Sequence, residues 1–113
     1  MNDNFSTGPQ LRTNNGSHLL LLIQNTNSTR ATVTVNLVDL QNSRNTISRT
    51  ITIDPNSTRT LFLMGVPRLF EVTFERVPSG VYFTANIGRG SASNFMTSQS
   101  FSYNDFINTT DED

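Results

Sequence analysis

The sequence predicts an all-β protein, a single antiparallel β-sandwich of seven or eight strands with an extended N-terminal arm. Three observations carry that expectation. From residue 17 onward, short apolar stretches recur roughly every ten to fourteen residues, the rhythm of a sandwich or barrel. Clusters of Asn, Ser, Gly and Pro separate them, and these residues make turns because Gly frees φ and Pro fixes it. No stretch carries a 3.6-residue apolar period, so no helix beyond about two turns is expected. The 113 residues fit one domain.

Residues 1–16 are polar and contain Gly8, Pro9 and Gly16. They cannot bury much apolar surface alone and read as a connector arm. Within them Phe5, Thr7, Pro9 and Leu11 share one parity. An extended arm would present Phe5 and Leu11 to one side, the layout of a strand added to another sheet's edge. Pro9 removes one ladder hydrogen bond, which is tolerable where that position faces away from the partner strand. Gly16, after Asn14-Asn15, offers a flexible joint to the body.

The body, residues 17–106, holds the predicted strands. Ser17–Asn25 contains the apolar run from Leu19 to Ile23. In Ala31–Leu40, Ala31, Val33, Val35 and Leu37 alternate with Thr32, Thr34 and Asn36. Val38 and Leu40 fall on the other parity, which suggests a bulge or a second buried face. Ile47–Ile53 places Ile47, Ile51 and Ile53 on one face. Arg59–Gly65 puts Leu61 and Leu63 opposite Phe62 and Met64. Phe70–Val77 and Val81–Gly88 each alternate cleanly, and Phe95–Tyr103 places Phe95, Phe101 and Tyr103 on one parity. Residues 107–113 form an acidic C-terminal tail.

Two strands are apolar on both faces. Leu20 and Leu22 oppose Leu19, Leu21 and Ile23, and Phe62 and Met64 oppose Leu61 and Leu63. Such strands need cover on both sides, from loops or from another subunit. Leu20, Leu22, Phe62 and Met64 therefore join Phe5, Pro9 and Leu11 as candidate subunit-interface residues. The phrase Asn-Ser-Thr-Arg occurs at 27–30 and 56–59, before a strand each time; it reads as one turn solution reached twice, or as a duplication.

Composition argues against several functions. Net charge is -1, and all eight basic residues are arginine. A phosphate-binding surface needs a net basic face, so neither nucleic acid nor an anionic membrane is an expected partner. The longest apolar run is too short to span a bilayer. Asn, Ser and Thr keep the surface wet where Lys and Glu usually do, as on extracellular β-proteins and self-packing subunits. The absence of cysteine removes disulfides, thiolate metal sites and cysteine nucleophiles. The N-terminus has neither the charged nor the apolar region of a secretory signal. An extracellular place would need another route.

Catalysis finds little support. The one histidine, His18, stands beside a leucine run without an obvious partner base or acid. Glu71 and Glu75 lie four apart on one outward strand face and read as solvated charges beside Arg76. Asp105 with Asp111-Glu112-Asp113 could attract calcium but lacks a spaced loop of oxygen ligands. Asn-x-Ser/Thr sequons at Asn4, Asn15, Asn27, Asn56 and Asn108 follow from composition. No catalytic residue, metal or cofactor is expected. For a sugar, Tyr82 is the best single stacking candidate, because its parity points outward.

The stretches NTNSTRATVTVNLVDL at 25–40, TITIDPNST at 50–58 and FEVTF at 70–74 resemble the Asn/Thr-rich β-sandwich proteins of the spore surface in the Bacillus group, endospore appendage pilus subunits among them. The resemblance spans about residues 17–88. It implies a jelly-roll subunit that polymerises by lending an N-terminal connector to its neighbour, on the spore surface, with anchor or tip proteins as further partners. Appendage connectors carry cross-linking cysteines, and this chain has none. The expected function is a structural subunit of a self-assembling extracellular fibre, with copies of itself as partner. The alternative is a surface adhesion module that binds a glycan or host ligand.

Overall fold

The structure, a computed structural model, describes residues 2–13, 17–42 and 45–110. Two antiparallel sheets pack face to face as a sandwich. The strands are β1 (Asn2–Ser6), β2 (Gln10–Leu11), β3 (His18–Asn25), β4 (Ala31–Asp39), β5 (Thr46–Ile53), β6 (Ser57–Met64), β7 (Leu69–Pro78), β8 (Val81–Arg89), β9 (Met96–Phe101) and β10 (Ile107–Asn108). One sheet runs β10-β1-β7-β4-β5, with β2 also on β7; the other runs β6-β3-β8-β9. A single 3-10 turn, Tyr103–Asp105, follows β9, and Asp105 caps it by accepting from the Ser102 amide at 2.8 Å.

The core is made of the alternate residues that the sequence marks. Leu19, Leu21 and Ile23 of β3, Val33 and Val35 of β4, Phe70 and Phe74 of β7 and Phe83 of β8 are buried between the sheets. Phe74 and Phe83 stack at 3.8 Å between ring centroids, joining the two sheets at the centre. Asn25, at the end of β3, is a fully buried polar residue of this interior. Its amide donates to the carbonyls of Thr29 at 2.8 Å, Ile53 at 3.1 Å and Asp54 at 3.2 Å, and its Oδ1 accepts from the Asn27 amide at 3.0 Å. One side chain thus shapes its own turn and ties β3 to the end of β5 in the opposite sheet.

The arm and the tail depart from the expectation of segments separate from the body. Residues 2–12 run along β7 for its whole length, from Asn2 opposite Pro78 to the Arg12 amide, which donates to the Arg68 carbonyl at 2.7 Å. Ile107 and Asn108 pair on the other side of β1. The reason is the row of backbone groups along β7 that no other strand satisfies. Phe5 enters the core and packs against Phe83 and Tyr103, each at 5.4 Å. The alternation expected from Phe5 to Leu11 breaks at Gly8, whose φ of +69° is open to glycine and strained for other residues. Pro9 lies in that break, outside the ladder, so its missing amide costs nothing. Leu11 therefore faces solvent, 66% exposed. The joint at Asn14–Gly16 and the acidic residues 111–113 lie outside the described residues.

Of the two alternatives expected after Leu37, a bulge or a second buried face, the bulge is absent: β4 keeps its register with β5 through Val38 and with β7 through Asp39, and Val38 and Leu40 are half-buried. Bulges fall elsewhere. β7 carries one opposite Asn4, where Arg76 adopts φ +60° and its amide donates to Asn4 Oδ1 at 3.0 Å. The other breaks the β8–β9 register at Gly88, where a Cβ would collide with the Met96 carbonyl. That break explains why Phe95 packs with Phe62 at 6.1 Å while Phe101 packs with core Phe70 at 6.4 Å, although the sequence puts both on one parity.

One flank of the sandwich exposes two long edges, β5 and β6. Each edge carries an arginine on its inner parity. Arg49 pairs with buried Val35, and Arg59 pairs with buried Ile23, yet both arginines are exposed. Arg59 also donates to the Thr52 carbonyl of β5 at 2.8 Å. Inward-pointing charge on an edge strand blocks pairing with another chain. Outside fibre-forming conditions, the double substitution Arg49→Val and Arg59→Val is expected to convert unassembled protein into sheet-rich aggregates. Light scattering checks this, and an unchanged profile would show that the arginines do not guard the flank.

Candidate functional site

The two outer faces of the sandwich differ in chemistry. On the six-stranded sheet the outward side chains bond to one another across strands. Thr32 pairs with Thr52 at 3.3 Å, Thr34 with Thr50 at 3.0 Å, and Asn36 donates to Thr73 at 3.0 Å; Ser48 donates to Asn36 and Ser6 to Glu71. This face satisfies its own polar groups and offers a partner little apolar surface.

The four-stranded sheet is apolar over one half of its outer face. Cross-strand register sets the rows: Met64 beside His18, then Phe62 beside Leu20, then Thr60 beside Leu22, then Thr58 beside Gln24. On the other side of β3 these rows continue to Gly88, Asn86, Thr84 and Tyr82. Leu20, Leu22, Phe62 and Met64, singled out from the sequence, therefore form one contiguous patch. Met64 is 66% and Leu22 41% exposed, while Leu20 and Phe62 are half-buried. Phe62 has the His18 ring at 5.5 Å on one side and Phe95 on the other. Loop cover is thus partial: Phe95 reaches Phe62, and Met64 and Leu22 stay open.

The three arm residues expected at a subunit interface separate. Phe5 is buried in the core, and Pro9 and Leu11 face solvent. The arm's seat is nonetheless continuous. Below β1, the Thr7 amide donates to the Val72 carbonyl and the Val72 amide to Thr7 Oγ1, each at 3.0 Å. Arg12 Nη1 reaches the Val66 carbonyl at 2.7 Å. Gln99 of β9 donates to the Leu11 carbonyl at 3.1 Å, and Thr13 meets Ser98 at 2.8 Å, so the segment also bridges to the other sheet.

The residues weighed for chemistry do not converge. His18 Nδ1 is buried with no hydrogen-bond partner among the described residues, and the His18 ring packs on Phe62. Glu71 accepts from Ser6, and Glu75 is exposed. Among the described residues no three His, Asp or Glu side chains come together in a way that would hold a metal ion.

Tyr82 faces outward, as its parity indicated, 45% exposed. Its ring meets Tyr103 edge-on at 5.0 Å beside a hollow of about 330 Å3. No sequence pattern signals that partnership, because Tyr103 arrives from the turn after β9 and not from a strand. Burial, then Tyr82, then Asp3 hold the Tyr103 phenol above the ordinary tyrosine value, so it remains an O–H donor at neutral pH.

No protein-family model and no curated protein sequence matches the chain. The crystal structure of Thermotoga maritima 1070 is similar, with a TM-score of 0.54 and 16% identity over 96% of this chain and 91% of that one. At that identity the likeness concerns the fold: this chain is a β-sandwich with the same overall course over nearly its whole length.

Proposed function

We propose that the chain is a structural subunit of a self-assembling extracellular fibre, joined to the next copy by its N-terminal strand. The observation that supports this most is the seat of residues 2–12 along β7, which a second copy's N-terminal segment would fit equally well. Exchange replaces each contact with its intermolecular twin, so swapping an identical element between copies costs little beyond the entropy of association. The contact is head-to-tail, and a rotation that does not close extends it into a fibre. The arginine-guarded edges of β5 and β6 leave the arm's flank as the open route. The apolar patch around Phe62 and Leu20 supplies a second, lateral contact between copies. The spore surface, with anchor or tip proteins, is the setting that the sequence resemblance favours.

A cysteine-free chain allows a direct test. Ser6 and Thr73 are paired across β1 and β7. With Ser6→Cys and Thr73→Cys, oxidation of assembled protein is expected to give a ladder of covalent multimers on a non-reducing gel. Deletion of residues 2–14 is expected to leave dispersed particles under negative stain where the full chain gives fibres. Exclusively monomeric cross-links in assembled protein, or normal fibres from the truncated chain, would overturn the exchange.

A further inference from the structure

The hollow beside Tyr82 has the chemistry of a small-ligand site, and two of its lining residues, Phe83 and Tyr103, are backed by Phe5 of the arm. It forms where β9 stops at Phe101, opposite Ala85, and leaves β8 from Val81 to Thr84 without a paired strand on that side among the described residues. Thr58, Gln24 and Tyr82 make one cross-strand row of its lining; Leu22 and Thr84 make the next; Tyr103 stands over them from the 3-10 turn. Its volume of about 330 Å3 falls at the small end of the range for sites that enclose small molecules.

Two features narrow the ligand. The Gln24 amide, the Thr58 and Thr84 hydroxyls and both phenols have no hydrogen-bond partner among the described residues, although they ring one space. On the six-stranded sheet the equivalent outward groups bond to each other instead. Five uncommitted donor or acceptor groups beside an aromatic ring and an apolar floor suit a molecule with hydroxyls at its rim and C–H groups on its face. Among the described residues no Asp, Glu, Arg or His lines the space, so no cation there would neutralise a carboxylate or phosphate group.

We propose that this hollow binds a neutral saccharide of one or two rings, stacked on Tyr82 and held at its rim by Gln24, Thr58 and Thr84. The site is independent of assembly, because Phe5 backs Tyr103 whether it comes from the same copy or a neighbour.

The chain contains no tryptophan, and its two tyrosines both line the hollow. Tyrosine emission therefore reports on this site alone. Maltose, cellobiose and N,N′-diacetylchitobiose serve as neutral probes and N-acetylneuraminic acid as the charged control. At least one neutral disaccharide is expected to change the emission saturably at millimolar concentration. Tyr82→Ala should weaken that binding by roughly tenfold or more. Thr58→Val should weaken it by less, with the urea midpoint of both variants unchanged. The best probe coupled to agarose through its reducing end separates two sources: retention indicates a displayed glycan, and binding of the soluble sugar alone indicates a free saccharide. Absence of saturation with all three neutral sugars, unaltered binding in Tyr82→Ala, or tighter binding of the charged control would overturn the proposal.

Discussion

Phe5→Ala is expected to destabilise the chain by about 3 kcal/mol, whereas Leu11→Ala should change stability by no more than about 0.5 kcal/mol. Both residues are large, apolar and on one parity of the N-terminal segment, so the sequence alone ranks them together. The structure separates them. Phe5 is 8% exposed, wedged between Phe83 and Tyr103, with the Phe74–Phe83 stack just beyond. Its removal leaves a cavity under β1 that flanking strands cannot collapse to fill. Leu11 touches the body through its backbone, which Ala retains. Urea unfolding of the unassembled protein measures both. Equal, small effects would mean that β1 does not occupy the core. In fibre-forming conditions Phe5→Ala is also expected to slow or abolish assembly, because the same ring fills the same cavity in a neighbour.

That contrast shows which parts of the fold a single sequence displays. The strands from β3 to β8 were legible because each carries at least two apolar residues at period two, enough to mark a buried face, and β9 is bracketed by Phe95, Phe101 and Tyr103. β1 has one, Phe5, and β10 has one, Ile107, which is exposed. The place of β1 is fixed by backbone pairing with β7, about seventy residues away, and that of β10 by pairing with β1; no local pattern records such partners. The apolar patch was legible for the opposite reason. Leu20, Leu22, Phe62 and Met64 violate the one-face rule, and a violation in two strands that pair with each other gives a surface. The hollow was half legible. Tyr82 announced itself by parity, while Tyr103 depended on the end of β9, and the register break near Gly88 removed the parity that would have placed the residues before it. The guard on the open flank has no signature in the sequence: Arg49 and Arg59 read as ordinary surface charges until cross-strand pairing puts them on the core side.

Asn25→Asp should be among the most damaging single substitutions in the chain, and its damage should depend on pH. The side chain is fully buried, and its amide faces the carbonyls of Thr29, Ile53 and Asp54. Two N–H groups serve three carbonyl oxygens, so one bond is shared. Aspartate is nearly the same shape but, ionised, it has no donor. It would place a carboxylate oxygen against three acceptors, while Arg30, the basic residue of this turn, is exposed and already paired with Asp54 at 3.4 Å. The cost is expected to be about 3–5 kcal/mol at neutral pH, that of leaving a buried charge uncompensated. Against a typical total of roughly 5–15 kcal/mol this is a large share, and toward the low end of that range much of the protein would unfold. Protonation relieves the charge and restores one O–H donor. Burial among acceptors raises the carboxyl pKa in the folded state above its unfolded value near 3.9. A raised folded pKa means that the native chain holds the proton more tightly. The restored stability is therefore fully present below about pH 4 and is lost as pH rises through the folded-state value. Asn25→Ala should cost about 2 kcal/mol with no such pH dependence, since it leaves carbonyls unsatisfied but adds no charge. Urea midpoints of wild type and both variants, compared at several pH values from about 4 to 8, separate the two cases. If the gap between Asn25→Asp and wild type stays constant over that range, the introduced carboxyl is not held among those carbonyls, and the tie between β3 and β5 is not made by this side chain.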